Sequence, residues 1–198
     1  MKIYGLIGNP LTHSLSPKYF NDKFQRDGLH DHRYEAFKLE DIDEFPQLLN
    51  EKPELAGLNV TIPFKETVIK YINRIDRDAR LIGAVNTIKF IRQKDALSLQ
   101  GYNTDVFGIE ASLEPYLKMK NMQALILGTG GTARAVTFVL KKYGISYQHV
   151  TRRPLKSNHI VYWSVSKSVL NEHKLIINTT PWACILEYRI FPILNTNS

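Results

Sequence analysis

The chain has 198 residues, 43% of them hydrophobic, a formal net charge of +7 and one cysteine, Cys184. That size holds one large or two small globular domains, and a single thiol excludes an intrachain disulfide framework and a cysteine-based metal cluster. No apolar run reaches the roughly 18 residues of a spanning helix and no signal-peptide pattern is present, so no membrane contact and a cytoplasmic location are expected. The basic residues are scattered, with no long run and no recognition motif. The excess of positive charge therefore suits anionic small molecules rather than nucleic acid.

In chain order, Lys2 to Gly8 reads as a strand ended by Gly8-Asn9-Pro10. Ser16 before Pro17 is expected to be the N-cap of a helix running to about Asp27, with Gly28 as its stop. Ser14 and Ser16 can serve as caps, or donate to a carboxylate. Tyr34 to Leu39 reads as a second strand. Glu40 to Leu49 reads as a helix whose register is disturbed by Pro46. Leu55 to Thr61 reads as a buried third strand. Pro63 cannot continue it, so Lys65 is expected at a strand end opening a helix, where sites gather in α/β folds. Val85 to Ile91 and Ala96 to Gly101 read as a hairpin with a polar turn around Gln93-Lys94-Asp95. Alternating strands and helices predict an α/β fold with a mostly parallel sheet and an antiparallel edge.

A helix from about Val106 to Leu117 bridges to a second half, with the division placed at 1–103 and 104–198. Ala124 to Leu127 is a short apolar run, followed by a glycine turn and an amphipathic helix through Val139 and Leu140. Gly128, Gly130 and Ala133 fit the G-x-G-x-x-G/A pattern of a dinucleotide-binding turn. The first glycine permits the tight turn and the second lets backbone approach a pyrophosphate. Small Ala133 lets the helix close on the strand, and the helix's first N–H groups face the phosphates. Ser146 to Val150 is the next strand, ending in Thr151-Arg152-Arg153-Pro154. An NAD-binding fold usually carries an acid there for the ribose hydroxyls. Two arginines stand there instead, and a guanidinium fork suits a 2′-phosphate, so NADP is expected over NAD. Tyr162 to Val169 is weakly patterned, and Lys174 to Asn178 reads as a buried strand. The histidines (13, 30, 32, 149, 159, 173) show no metal spacing; they read as surface or structural, and no metal is expected.

Six motifs now stand in order: Gly8-Asn9-Pro10 with Ser14-Leu15-Ser16-Pro17, Asn59-Val60-Thr61-Ile62-Pro63-Phe64-Lys65, Gly83-Ala84-Val85-Asn86-Thr87, Gly101-Tyr102-Asn103-Thr104-Asp105, the glycine turn, and Ile177-Asn178-Thr179-Thr180-Pro181. Together they resemble shikimate dehydrogenase over residues 1 to 181. The resemblance implies a substrate-binding α/β domain and a Rossmann-like NADP domain, with the active site in the cleft between them. It implies NADP-dependent, reversible reduction of 3-dehydroshikimate to shikimate, a step toward chorismate and the aromatic amino acids. It also implies that Ser14 and Ser16 bind the substrate carboxylate, and that Thr61, Lys65, Asn86 and Asp105 hold the ring hydroxyls. Lys65 and Asp105 would be the catalytic pair. Gly128, Gly130, Gly131, Thr132, Ala133, Thr151, Arg152, Arg153, Asn178 and Thr179 would contact the cofactor. Thr151 departs from the family's usual asparagine.

The residue types suit that chemistry. Hydride arriving at a ketone carbon puts negative charge on oxygen, and a positioned ammonium can neutralise it and deliver the proton. Lysine suits the role because its pKa follows its surroundings. The alternatives are an NAD-dependent quinate/shikimate dehydrogenase, against which the arginines argue, and a truncated chain that binds ligand without turnover.

The resemblance stops at Pro181. The family continues with a Leu-Gly-Met-Tyr-Pro type sequence, whereas this chain reads Trp182-Ala183-Cys184-Ile185-Leu186. The codons TTG GGC ATG TAT CCT, read one base later, give Trp-Ala-Cys-Ile and the start of a leucine codon. Residues 182–198 are therefore expected to be an out-of-frame, non-family tail. The second half would then lack sheet strands and leave an apolar edge uncovered. Marginal stability, doubtful turnover and a monomer or dimer self-associating through that edge are the expected consequences.

Overall fold

The computed structural model describes residues 1–12, 14–93, 96–117 and 121–180, and the backbone of Phe191–Pro192. His13, the hairpin turn at Lys94 and Asp95, Met119 and the rest of the tail, with Cys184 and the out-of-frame reading, lie outside the described residues. The chain divides into two units, Met1–Thr104 and Asp105–Ser198.

The first unit is a six-stranded sheet built from β1 (Lys2–Gly8), β2 (His32–Lys38), β3 (Leu55–Val60), β4 (Arg74–Ile75), β5 (Thr87–Gln93) and β6 (Ala96–Tyr102), in the order β2-β1-β3-β5-β6-β4. β1 runs parallel to β2 and β3, and β4 parallel to β6; β5 is antiparallel to both β3 and β6. Leu55, Gly57, Leu58 and Val60 of β3 are all buried, as a strand covered on both faces requires. Leu55, Leu58 and Val60 join Ile3, Ile7, Phe45, Val68 and Ile88 in one core.

Helix α1 (Ser16–Arg26) lies along β2, with Phe20 stacked on Tyr34 at 4.7 Å and Phe24 tilted on Tyr4 at 5.8 Å. Its start corrects the expected cap. Ser16 is the first helical residue, Leu15 occupies the cap position with helical dihedrals, and the Ser16 N–H donates to Ser14 Oγ at 3.3 Å. Pro17, in the first turn, has no N–H to satisfy. The hydroxyl that meets the helix start is thus that of Ser14, two positions before the expected cap. Gly28 stops the helix in the left-handed region at φ +72°.

The helix expected over 40–49 divides into a 3-10 turn, Ile42–Glu44, and α2 (Phe45–Glu51). Asp41 and Glu44 form a capping box on the 3-10 turn. Pro46 stands in the first turn of α2, where it is tolerated. After β3 a series of turns leads to a second 3-10 helix, Thr67–Tyr71, so Lys65 precedes a 3-10 helix rather than opening an α-helix. Helix α3 (Arg77–Ile82), capped by Asp76 and by Gly83 at φ +71°, was not expected; six residues are too few to carry a helical period.

The second unit holds β7 (Gln123–Leu127), β8 (Ser146–Thr151), β9 (His159–Val161), β10 (Leu175–Asn178) and β11 (Phe191–Pro192), in the order β11-β10-β7-β8-β9. β10, β7, β8 and β9 are parallel. α4 (Asp105–Leu117) packs against α5 (Gly131–Lys142), which crosses from β7 to β8 and buries Ala133, Ala135, Val136, Val139 and Leu140. The Lys142 ammonium pairs with Glu110 at 2.6 Å, tying the last turn of α5 to α4. Residues 152–158 join β8 to β9 without a helix, and the weakly patterned 162–169 stretch contains a 3-10 turn, Tyr162–Ser164, and the start of α6 (Lys167–Glu172). Leu175 and Ile176 pair antiparallel with Pro192 and Phe191. The β10 edge expected to be bare is therefore covered over that stretch. Among the described residues no helix is long and apolar enough to cross a membrane.

Candidate functional site

In the first unit, the carboxyl ends of β1 and β3 are drawn together by the main chain. Thr61 N–H donates to Ile7 O at 2.9 Å, and Asn9 N–H to Ile62 O at 2.9 Å. A Cβ on Gly8 would stand 2.4 Å from Thr61 Cγ2 and 3.0 Å from Ile62 O. Only glycine lets the two strand ends approach this closely. Thr61 is in this way set beside the Gly8-Asn9-Pro10 loop that leads to Ser14.

Lys65 and Asn86 are held near one another through backbone. Val85 N–H donates to Lys65 O at 2.7 Å, and Asn86 N–H to Tyr102 O at 3.0 Å. Lys65 is half-buried and Asn86 is buried. The Asn86 side chain is oriented by its neighbours: Oδ1 accepts from Thr104 N–H at 2.8 Å, Thr104 Oγ1 at 3.1 Å and Thr87 Oγ1 at 3.0 Å. Those donors fix the amide flip, so Nδ2 is the donating end.

The network extends backwards. Asn59 Nδ2 donates to Thr87 Oγ1 at 3.3 Å, and Asn59 Oδ1 accepts from the Tyr34 hydroxyl at 2.7 Å. Burial pushes the Tyr34 phenol well above its usual range, and a hydrogen bond from the Ser16 side chain opposes that rise. A polar chain therefore runs Ser16–Tyr34–Asn59–Thr87–Asn86–Thr104, joining residues expected to touch substrate through ones that sequence reasoning did not single out. Tyr34→Phe is expected to cost about 1–2 kcal/mol, because Asn59 Oδ1 loses its donor inside the unit. Chemical denaturation checks this, and an unchanged midpoint would remove Tyr34 from the network.

Asp105 follows Thr104 and is the first residue of α4, in the second unit. There the glycine turn is pinned from both sides. Gly128 sits at φ +110°, a conformation that favours glycine. Its N–H donates to Val150 O at 2.9 Å. Just past β10, the N–H and hydroxyl of Thr179 donate to Leu127 O at 3.0 and 2.7 Å. Asn178 Oδ1 accepts from the N–H and hydroxyl of Thr180 at 3.1 and 2.8 Å. Thr179 and Asn178 thus both have structural partners beside the turn.

Gly130 is the N-cap of α5, with no side-chain cap, and a Cβ there would meet nothing within 4 Å. No internal crowding demands glycine at 130. Gly131 and Thr132 are partly exposed at the start of α5, and Ala133 is buried. Thr151 Oγ1 accepts from Arg153 N–H at 3.3 Å, and both arginines are exposed at the end of β8. Among the described residues neither is paired with an acid.

Comparison with known proteins bears on this arrangement. Residues 6–88 match the family model described as "Shikimate dehydrogenase substrate binding domain". The curated shikimate dehydrogenase (NADP(+)) of Methanosphaera stadtmanae is 34% identical across 98% of this chain and 73% of its own length. That of Pyrococcus abyssi is 36% identical across 94% of this chain and 67% of its own length. Among solved structures, shikimate dehydrogenase of Aquifex aeolicus superposes with a TM-score of 0.76 at 33% identity, covering 91% of this chain and 69% of that one. The Thermus thermophilus enzyme, solved with NADP(H) and shikimate, gives 0.69 at 28% identity, again covering 91% of this chain and 69% of that one.

Proposed function

Because the chain belongs to the shikimate dehydrogenase family, we propose that it interconverts 3-dehydroshikimate and shikimate with NADP as the redox partner. NADPH, when bound, supplies the hydride that turns the ketone into the alcohol. Lys65 gives its proton to the oxygen on which charge accumulates, and takes it back in the reverse direction. Asp105, the other member of the catalytic pair, binds a ring hydroxyl. Thr61 and Asn86 bind ring hydroxyls, the latter through Nδ2, and the hydroxyls of Ser14 and Ser16 receive the carboxylate. The observation that carries this reading is the Asn86 amide, braced by Thr87 and Thr104, one residue after the Val85 N–H that donates to the Lys65 carbonyl. A braced amide donor on the same backbone as a lysine suits a polyhydroxylated ring with a reacting oxygen.

In the second unit, the first turn of α5, with Gly128, Gly130, Gly131, Thr132 and Ala133, receives the pyrophosphate. Arg152 and Arg153 receive the 2′-phosphate, with Thr151, Asn178 and Thr179 lining the same end of the sheet. We assign residues 1–103 to substrate binding and 104–198 to the dinucleotide. The decisive measurement is absorbance at the reduced-nicotinamide band with shikimate, run separately with NADP and NAD. Growth of the band with NADP is expected. Binding of both ligands by calorimetry with no band from either nucleotide would overturn the catalytic reading.

The arginines make a separate prediction. Arg152→Ala with Arg153→Ala is expected to raise KM for NADP by about tenfold or more, as charge-assisted hydrogen bonds to phosphate are lost. KM for NAD should barely move. An equal loss for both nucleotides would place the 2′-phosphate elsewhere.

A further inference from the structure

The glycine turn has one support that neither the motif nor the reaction accounts for. His149, in the middle of β8, is 8% exposed, and its ring bridges two elements. Nδ1 lies 2.8 Å from Gly128 O, and Nε2 lies 3.1 Å from Thr137 Oγ1 on α5. A carbonyl can only accept, so Nδ1 carries the proton and Nε2 accepts from the threonine hydroxyl. Burial favours this neutral form. It holds His149 below the usual imidazole range; the bond to the Gly128 carbonyl opposes that, and His159 on β9 and Lys156 add to the depression. The His159 ring stands 5.3 Å away and the Tyr147 ring 5.5 Å away.

The consequence falls on the far side of one peptide plane. Gly128–Thr129 is trans, so the carbonyl and the Thr129 N–H point in opposite directions. Gly128 at φ +110° is the residue about which that plane could turn most easily. By holding the carbonyl, the imidazole sets the direction of the Thr129 N–H, away from β8. We propose that His149 is a positioning residue for the dinucleotide: its Nδ1–H bond to Gly128 O fixes the peptide plane that leads into the phosphate-binding turn, and Thr137 fixes the ring. This rests on the dinucleotide reading of the turn given above.

Two amide variants separate the bonds. Asparagine can place an N–H where Nδ1 stands, while glutamine reaches only the Nε2 position. Dissociation constants for NADP and for shikimate, measured by titration calorimetry, are the readout. His149→Ala is expected to weaken NADP roughly tenfold and leave shikimate unchanged. His149→Asn should recover most of that loss, and His149→Gln should not. Should His149→Ala fail to fold, the Asn and Gln pair carries the test alone. Unchanged NADP affinity in the variants, equal weakening of both ligands, or rescue by glutamine as good as by asparagine would overturn the proposal. A wild-type chain that binds shikimate but no NADP would instead overturn the dinucleotide reading, and the role of His149 with it.

Discussion

Lys65→Ala is expected to lower kcat by about 10²–10⁴-fold while leaving NADP affinity intact. The fold should tolerate the change. A backbone bond at this position runs from Val85 N–H to the Lys65 carbonyl, and alanine keeps that carbonyl. The side chain is half-buried, so little packing is lost. What disappears is the ammonium that meets the growing oxyanion and supplies its proton. Lys65→Arg keeps a positive charge but holds its proton too firmly to donate it, so it should remain slow. Steady-state rates in both directions, with calorimetric NADP binding as the control, decide the matter. Turnover equal to wild type in the alanine variant would remove Lys65 from the mechanism.

The sequence carried this far because the residues in question sit where local rules are strict. Pro63 forbids β3 from continuing, Gly8-Asn9-Pro10 ends β1, and Gly128 permits a tight turn, so each is readable without knowing its neighbours. The βαβ order of the second unit was equally legible, since β7 and β10 are short apolar runs and α5 has a clear buried face. What escaped depends on partners distant in the chain. Tyr34 and Asn59 are 25 residues apart, and nothing local in either distinguishes a network member from a filler of its strand. His149 read as surface or structural because its role depends on Gly128, 21 residues earlier, and Thr137, 12 residues earlier. The misplaced α1 cap has a different cause. Ser14 and Ser16 are chemically equivalent caps before a proline, and only the backbone at Leu15 decides between them. Helix α3 and the 3-10 turn at Thr67–Tyr71 are too short to register as periodic patterns.

Gly128→Ala tests whether the turn is built as described. Two costs arise together. An alanine at φ +110° occupies a region that side chains rarely enter, which costs on the order of 1–3 kcal/mol. Its Cβ would also stand 2.9 Å from Thr179 Oγ1, the hydroxyl that donates to Leu127 O. Moving that hydroxyl endangers a further bond worth about 1 kcal/mol. A loss of roughly 2–4 kcal/mol in unfolding free energy is expected, measured by chemical denaturation. Thr179→Ala alone should cost less, since Leu127 O keeps the Thr179 N–H. The double variant should be more stable than the sum of the two losses predicts, because the clash is gone while the backbone strain remains. Strict additivity would mean that Thr179 does not press on the turn. A Gly128→Ala variant as stable as the parent would mean that the left-handed conformation is absent, and with it the geometry by which β7 hands the chain to α5.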